Sequence, residues 1–146
     1  MRFRRNGEPA NLTYLAVKDA LSAYSTNYLE SVVDVLGKQQ IDGRKRDNGP
    51  AFMALAAQYL IVERYYEKVE RIDSQLMAEV AKRMKICEKI GRWKKARGLP
   101  IHVPEREAAI IEKAEALATT RKLPPGVATS FFTEVMKHSR DLQARV

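Results

Sequence analysis

The chain has one cysteine, one tryptophan and two histidines in 146 residues. A single cysteine, Cys87, cannot close an internal disulfide, which suits a reducing compartment and leads us to expect a cytoplasmic protein. Cys87 falls on a helical stripe, where an unpaired thiol is expected to be buried as a small apolar group. His102 and His138 have no partner cysteines, so no zinc-ligand spacing arises, and both read as ordinary surface or boundary residues. No Cys-His or Ser-His-Asp arrangement, glycine-rich phosphate loop or cluster of metal ligands is present. Apolar runs stay well short of the ~20 residues that cross a bilayer, and the basic N-terminal stretch MRFRRNGEPANLTY lacks the apolar segment of an export signal. Alternating apolar and polar residues are missing throughout, which argues against strands.

What the chain has is positive charge and helical periodicity. Lys and Arg number 26 against 18 Asp and Glu, a net charge of +8, which raises the local concentration of anionic partners. The excess gathers at Arg2/Arg4/Arg5, at Arg44/Lys45/Arg46 and at Arg92/Lys94/Lys95/Arg97. Nucleic acid, an acidic membrane surface and a small dicarboxylate are all compatible with that sign. The first two clusters read most simply as a solvated tail and loop, with nucleic-acid contact as the sharper alternative.

Residues 1–10 read as a tail. From Leu12 to about Gly37, apolar residues recur at helical spacing, with Asn11 at the start and Gly37 as a candidate C-cap. In the bland reading of this extension, Tyr14, Leu21, Tyr24, Tyr28 and Leu29 cover apolar surface on the next helix. The stretch QQIDGRKRDNGP, residues 39–50, carries Asp-Gly and Asn-Gly-Pro turn signals and marks a connection. We therefore divide the chain into an extension, 1–50, and a helical domain, 51–146.

From Ala51 to about Arg97 there is no proline, and the first glycine is Gly91. Such a helix would reach ~70 Å at about 1.5 Å per residue, beyond the diameter of a domain this size, so a second chain or the N-terminal helix must cover part of it. A homodimer is expected. Gly98 ends this helix. Pro104, with Glu105 and Glu107 in the first turn, opens another that runs to about Arg121, and LPPG separates that from a last helix near Val127. Trp93 and the Phe131/Phe132 pair read as packing residues rather than substrate platforms.

Arg83 and Lys94 lie eleven residues apart, close to three helical turns, and so share a stripe that can bind a dianion. Arg106 and Glu107 begin the next helix, and Ser139 and Gln143 share a face of the last at i and i+4. The stretch RMKICEKIGRWKKARGLPIHVPEREAAIIEKAEALATTRKLPPGVATSFFTEVMKHSRDLQ, together with the residues back to about Tyr66, resembles the AroQ-type, all-helical chorismate mutase family. The resemblance implies an all-α three-helix domain with one very long first helix, here preceded by an extra N-terminal helix, in an intertwined dimer. It also implies the Claisen rearrangement of chorismate, or a close analogue such as an amino-substituted chorismate, to prephenate without a cofactor. Carried over, Arg83 and Ser139 hold carboxylate, Lys94 and Gln143 donate to the ether oxygen, Glu107 binds the ring hydroxyl, and Arg106 supports the site.

Two positions depart from the family pattern. Tyr66 stands where the family places an arginine that reaches into the partner subunit's site, and Val103 stands where many members have an aspartate beside the substrate hydroxyl. An arginine of the N-terminal tail, or Arg44 or Arg46, could replace the missing guanidinium. The alternatives are an isochorismate pyruvate-lyase on the same fold, or a helical binding or regulatory module without catalysis. The partner in the leading reading is a small dicarboxylate substrate, with no membrane and no nucleic acid.

Overall fold

The computed structural model describes residues 8, 11–37 and 49–146. Among them lie five α-helices and no strand: α1 (Leu12–Leu21), α2 (Thr26–Gly37), α3 (Gly49–Arg97), α4 (Pro104–Thr120) and α5 (Val127–Arg145). The all-α expectation holds. None of these helices is long and apolar enough to cross a membrane. The chain forms two compact units, one up to Ser74 and one from Gln75 onward, and α3 contributes residues to both.

In the first unit the single N-terminal helix expected from the periodicity is two helices. The Asn11 side chain caps α1 by accepting from the Tyr14 N–H at 2.7 Å, as short polar side chains do at helix starts. At the other end, Ser22 turns its hydroxyl back to the Asp19 carbonyl, and Ser25 reopens the helix by accepting from the Tyr28 N–H. Serine hydroxyls that compete for backbone partners in this way favour breaks over helix interiors. Arg64 of α3 holds the break from the other side, donating to the carbonyls of Ser22 and Tyr24 and to the Thr26 hydroxyl at 2.7–3.0 Å.

Tyr14, Leu21 and Leu29 are buried against Ala56, Ala57 and Leu60 of α3, and the small alanines let the helices approach closely. Tyr24 and Tyr28, grouped with them in the sequence reading, are instead 48% and 50% exposed. The break redirects them outward, where their rings stack on each other at 4.6 Å. Lys18 bridges the buried Glu8 and Glu63, 2.5 Å from each. The connection expected at 39–50 lies outside the described residues up to position 48, and Gly49 and Pro50 already belong to α3.

In the second unit α3 ends as the glycine predicts. Gly98 takes φ +65°, and the Leu99 N–H returns to the Lys94 carbonyl at 2.9 Å, a C-terminal motif that favours glycine. Pro104 occupies the first turn of α4. The first turn of α5 is held by Glu115 of α4, whose carboxylate accepts from the Thr129 N–H and hydroxyl. Alanines 114, 118 and 128 form the α4–α5 seam, with Phe132 against them. The pairs Arg83–Ser139 and Gly91–Gln143 ascend together, whereas Glu107–Arg140 and Glu115–Thr129 run in opposite order. Helix α5 is therefore parallel to α3, and α4 is antiparallel to α5.

Candidate active site

Three helices and one loop of the second unit enclose a cavity of about 360 Å³, lined by Arg83, Lys94, Val103, Arg106, Glu107, Ser139 and Gln143 together with isoleucines and Met136. Its size falls within the ~300–1,000 Å³ of small-molecule sites. Seven of the eight residues singled out from the sequence meet here. The eighth, Tyr66, lies on α3 in the first unit and is 64% exposed.

Local structure explains how each side chain is aimed. Arg83 donates through Nη1 to the Ser139 hydroxyl at 2.9 Å, and Ser139 in turn donates back into its own helix at the Val135 carbonyl, 2.8 Å away. One face of the guanidinium is thus fixed while other donors of the fork remain for a ligand. Lys94 holds the Ile101 carbonyl at 3.0 Å. The loop that Gly98 turns is therefore pinned by the same residue whose ammonium enters the cavity.

Val103 precedes α4 in extended conformation without a side-chain cap, and its carbonyl accepts the N–H groups of Arg106 and Glu107 at 3.1 Å each. Gln143 is 92% buried, and among the described residues its Oε1 has no hydrogen-bond partner. A buried polar atom left in this state costs about 1–3 kcal/mol. It reaches its position because Gly91 lacks a side chain: a Cβ there would lie 2.8 Å from the Gln143 Cα.

One site residue was missed by the sequence reading: Arg140 lines the cavity and donates to Glu107 Oε1. His102, read as an ordinary surface or boundary residue, is exposed as expected and places Nε2 3.0 Å from Glu107 Oε2. Burial pushes the Glu107 carboxyl up. The hydrogen bond and charge of Arg140, followed by those of His102, outweigh that and hold it below the ordinary value. The signal available was spacing, since Arg140 precedes Gln143 by three positions and so falls near its face of α5. The cavity's lining holds four cations, Arg83, Lys94, Arg106 and Arg140, and this single carboxylate.

The family profile described as chorismate mutase type II matches residues 65–144. The chain belongs to the chorismate mutase type II family. Its relatives include a T-protein of Enterobacter agglomerans, 32% identical over 73 residues, which is 50% of this chain and 20% of that protein. A bifunctional chorismate mutase/prephenate dehydratase of Aquifex aeolicus is 43% identical over 47 residues, 32% of this chain and 13% of that protein. A chorismate mutase of Methanocaldococcus jannaschii is 25% identical over 77 residues, 53% of this chain and 78% of that protein. The first two relatives are thus matched over a fifth of their length or less. No solved structure is a significant match. The family match begins at Tyr65, so α1, α2 and the opening turns of α3 lie outside it.

Among the described residues no group of His, Cys, Asp and Glu could hold a metal ion. Arg44, Arg46 and the arginines of the tail, considered above as substitutes for the missing guanidinium, lie outside the described residues. Cys87 is buried, as expected. Phe131 and Phe132 pack edge to face at 5.2 Å. Trp93, expected to be a packing residue, is 58% exposed, with the Arg97 guanidinium 3.1 Å from its ring centre.

Proposed function

We infer that the cavity binds chorismate and catalyses its Claisen rearrangement to prephenate. The observation that carries this reading is the convergence of Lys94 and the buried Gln143 on the same small cavity as Arg83 and Glu107, in a chain of the chorismate mutase type II family. The rearrangement breaks a C–O bond and forms a C–C bond in one step, so it needs neither a nucleophile nor a redox group. Negative charge builds on the ether oxygen as that bond breaks. Donors held in advance in a largely apolar cavity stabilise this charge more in the transition state than in the ground state.

In this assignment Lys94 and the Gln143 amide donate to the ether oxygen. Arg83, steadied by Ser139, holds a carboxylate, Glu107 accepts from the ring hydroxyl, Arg106 supports the site, and Val103 contributes through its backbone. Enclosure between α3, α4 and α5 selects the folded conformer in which the reacting carbons meet.

The reading includes a homodimer. Helix α3 would extend ~73 Å at about 1.5 Å per residue, and it leaves Val69, Ile72, Leu76 and Met77 exposed in the single chain. A second copy would cover these residues and offer the Tyr66 hydroxyl in place of the family's arginine. The buried, unpaired Cys87 thiol fits a cytoplasmic location.

Titration with a bicyclic dicarboxylate that mimics the transition state tests the reading. At a hundredfold excess over its Kd the ligand should stabilise the wild type by about 2.7 kcal/mol, and Lys94→Ala should bind roughly tenfold to a hundredfold more weakly, as for loss of a hydrogen bond from a charged group. A wild type that the ligand does not stabilise would contradict it.

A further inference from the structure

The charge around Glu107 determines what kind of substituent that end of the cavity accepts. Helix α4 alone settles where the residue sits, because the Glu107 backbone is fixed by its N–H to the Val103 carbonyl. Two more groups then converge on its carboxylate, Arg140 from α5 on one oxygen and His102 from the preceding loop on the other. The Arg140 and Glu107 side chains are 33% and 23% exposed, so neither charge is fully screened by water. An ionised carboxylate can accept at about four lone-pair positions, and two remain for a ligand.

A hydroxyl and an ammonium fare differently there. A hydroxyl needs only a free lone pair, which Glu107 retains. An ammonium needs uncompensated negative charge, and Arg140 has already cancelled that of Glu107, while Arg83, Lys94 and Arg106 add three further positive charges to the same cavity.

The geometry points to Arg140 as a specificity-determining residue: by neutralising Glu107 it makes this end of the cavity accept a neutral hydroxyl on the substrate ring and reject an ammonium in the same place. The inference rests on the mutase reading and narrows it, from chorismate or an amino-substituted analogue to the hydroxyl-bearing substrate. Arg140 acts on the substrate through Glu107 and is in that sense a positioning residue.

The test is the ratio of kcat/KM for chorismate to that for its amino-substituted analogue, measured in the wild type, Arg140→Met and Arg140→Lys. The wild type should favour chorismate. Arg140→Met, which removes the guanidinium from Glu107 and leaves only the His102 contact, should move the ratio toward the amino substrate by roughly tenfold or more, the scale of one hydrogen bond to a charged group. Arg140→Lys keeps the charge and should keep the preference. General loosening of the cavity lowers both rates together and leaves the ratio where it was, so a purely structural role for Arg140 is distinguishable. If Arg140→Met does not fold, Arg140→Gln removes the same charge and carries the same test. An unchanged ratio in the neutral variant, or a wild type that prefers the amino substrate, overturns the inference and leaves the mutase reading standing. A wild type that turns over neither substrate removes the mutase reading and the inference with it.

Discussion

Gly91→Ala is a one-carbon change whose effect can be worked from the packing of α5 on α3. The new Cβ would lie 2.8 Å from the Gln143 Cα, 2.8 Å from the Val146 Cγ2 and 3.0 Å from the Gln143 Cβ. Carbon atoms pack at about 3.5–4.0 Å, so the end of α5 must retreat by roughly 1 Å. The obstacle is backbone, and no rotamer change relieves it. Alanine gains about 1 kcal/mol of helix propensity over glycine, whereas overpacking costs about 1–3 kcal/mol, so stability should fall by up to about 2 kcal/mol. Catalysis should suffer more, because the residue displaced is Gln143, and a 1 Å misplacement at a reacting centre can lower the rate about a hundredfold. Urea unfolding together with initial rates of prephenate formation would measure both. A variant stabilised by about 1 kcal/mol, with kcat/KM unchanged, would refute the claim that Gly91 sets the position of Gln143.

Other outcomes follow from single contacts. The Glu107 carboxyl is held below its ordinary 4.5, so the unfolded chain takes up this proton first as pH falls. Its contribution to stability is present above that ordinary value and is lost as pH drops through the folded one. Urea midpoints measured across this acidic window should fall less steeply in Glu107→Gln than in the wild type. For Lys18, burial lowers the ammonium's pKa, but hydrogen bonds to Glu63 and Glu8 and their charges outweigh this and raise it above 10.5. Its contribution is therefore complete below 10.5 and is lost as pH rises through the raised value. Lys18→Met removes the cation shared by Glu8 and Glu63 and should lower the thermal midpoint at neutral pH while abolishing this alkaline loss of stability. Arg64→Ala strips two carbonyls and a hydroxyl of their donor, and should cost about 1–3 kcal/mol. Amide exchange should speed up around Ser22–Thr26 while rates in α5 stay unchanged.

Much of the second unit was legible because its signals are local and agree with one another. Gly98, Pro104 and the LPPG break set the three helices, and the spacings of Arg83 with Lys94 and of Ser139 with Gln143 placed those residues on common faces. The break between α1 and α2 was not legible, since apolar periodicity continues through residues 22–25. It is fixed by serine hydroxyls and by Arg64, a residue some forty positions away in sequence. Arg140 escaped for a related reason: its contact with Glu107 spans 33 positions and is made by the antiparallel pairing of α4 with α5. His102 lies only five positions before Glu107, but in a loop, where no helical spacing signals the contact. Tyr24 and Tyr28 had the right periodicity to be buried, and only the turn at Ser22–Ser25 directs them outward.

The central claim is that this cavity rearranges chorismate, and the direct measurement is incubation of the purified protein with chorismate and, separately, with isochorismate, followed by chromatographic identification of the products. Prephenate should form from chorismate at a rate that Lys94→Ala abolishes. Pyruvate from isochorismate without prephenate from chorismate, or no turnover of either by a protein that retains its helices, would contradict it.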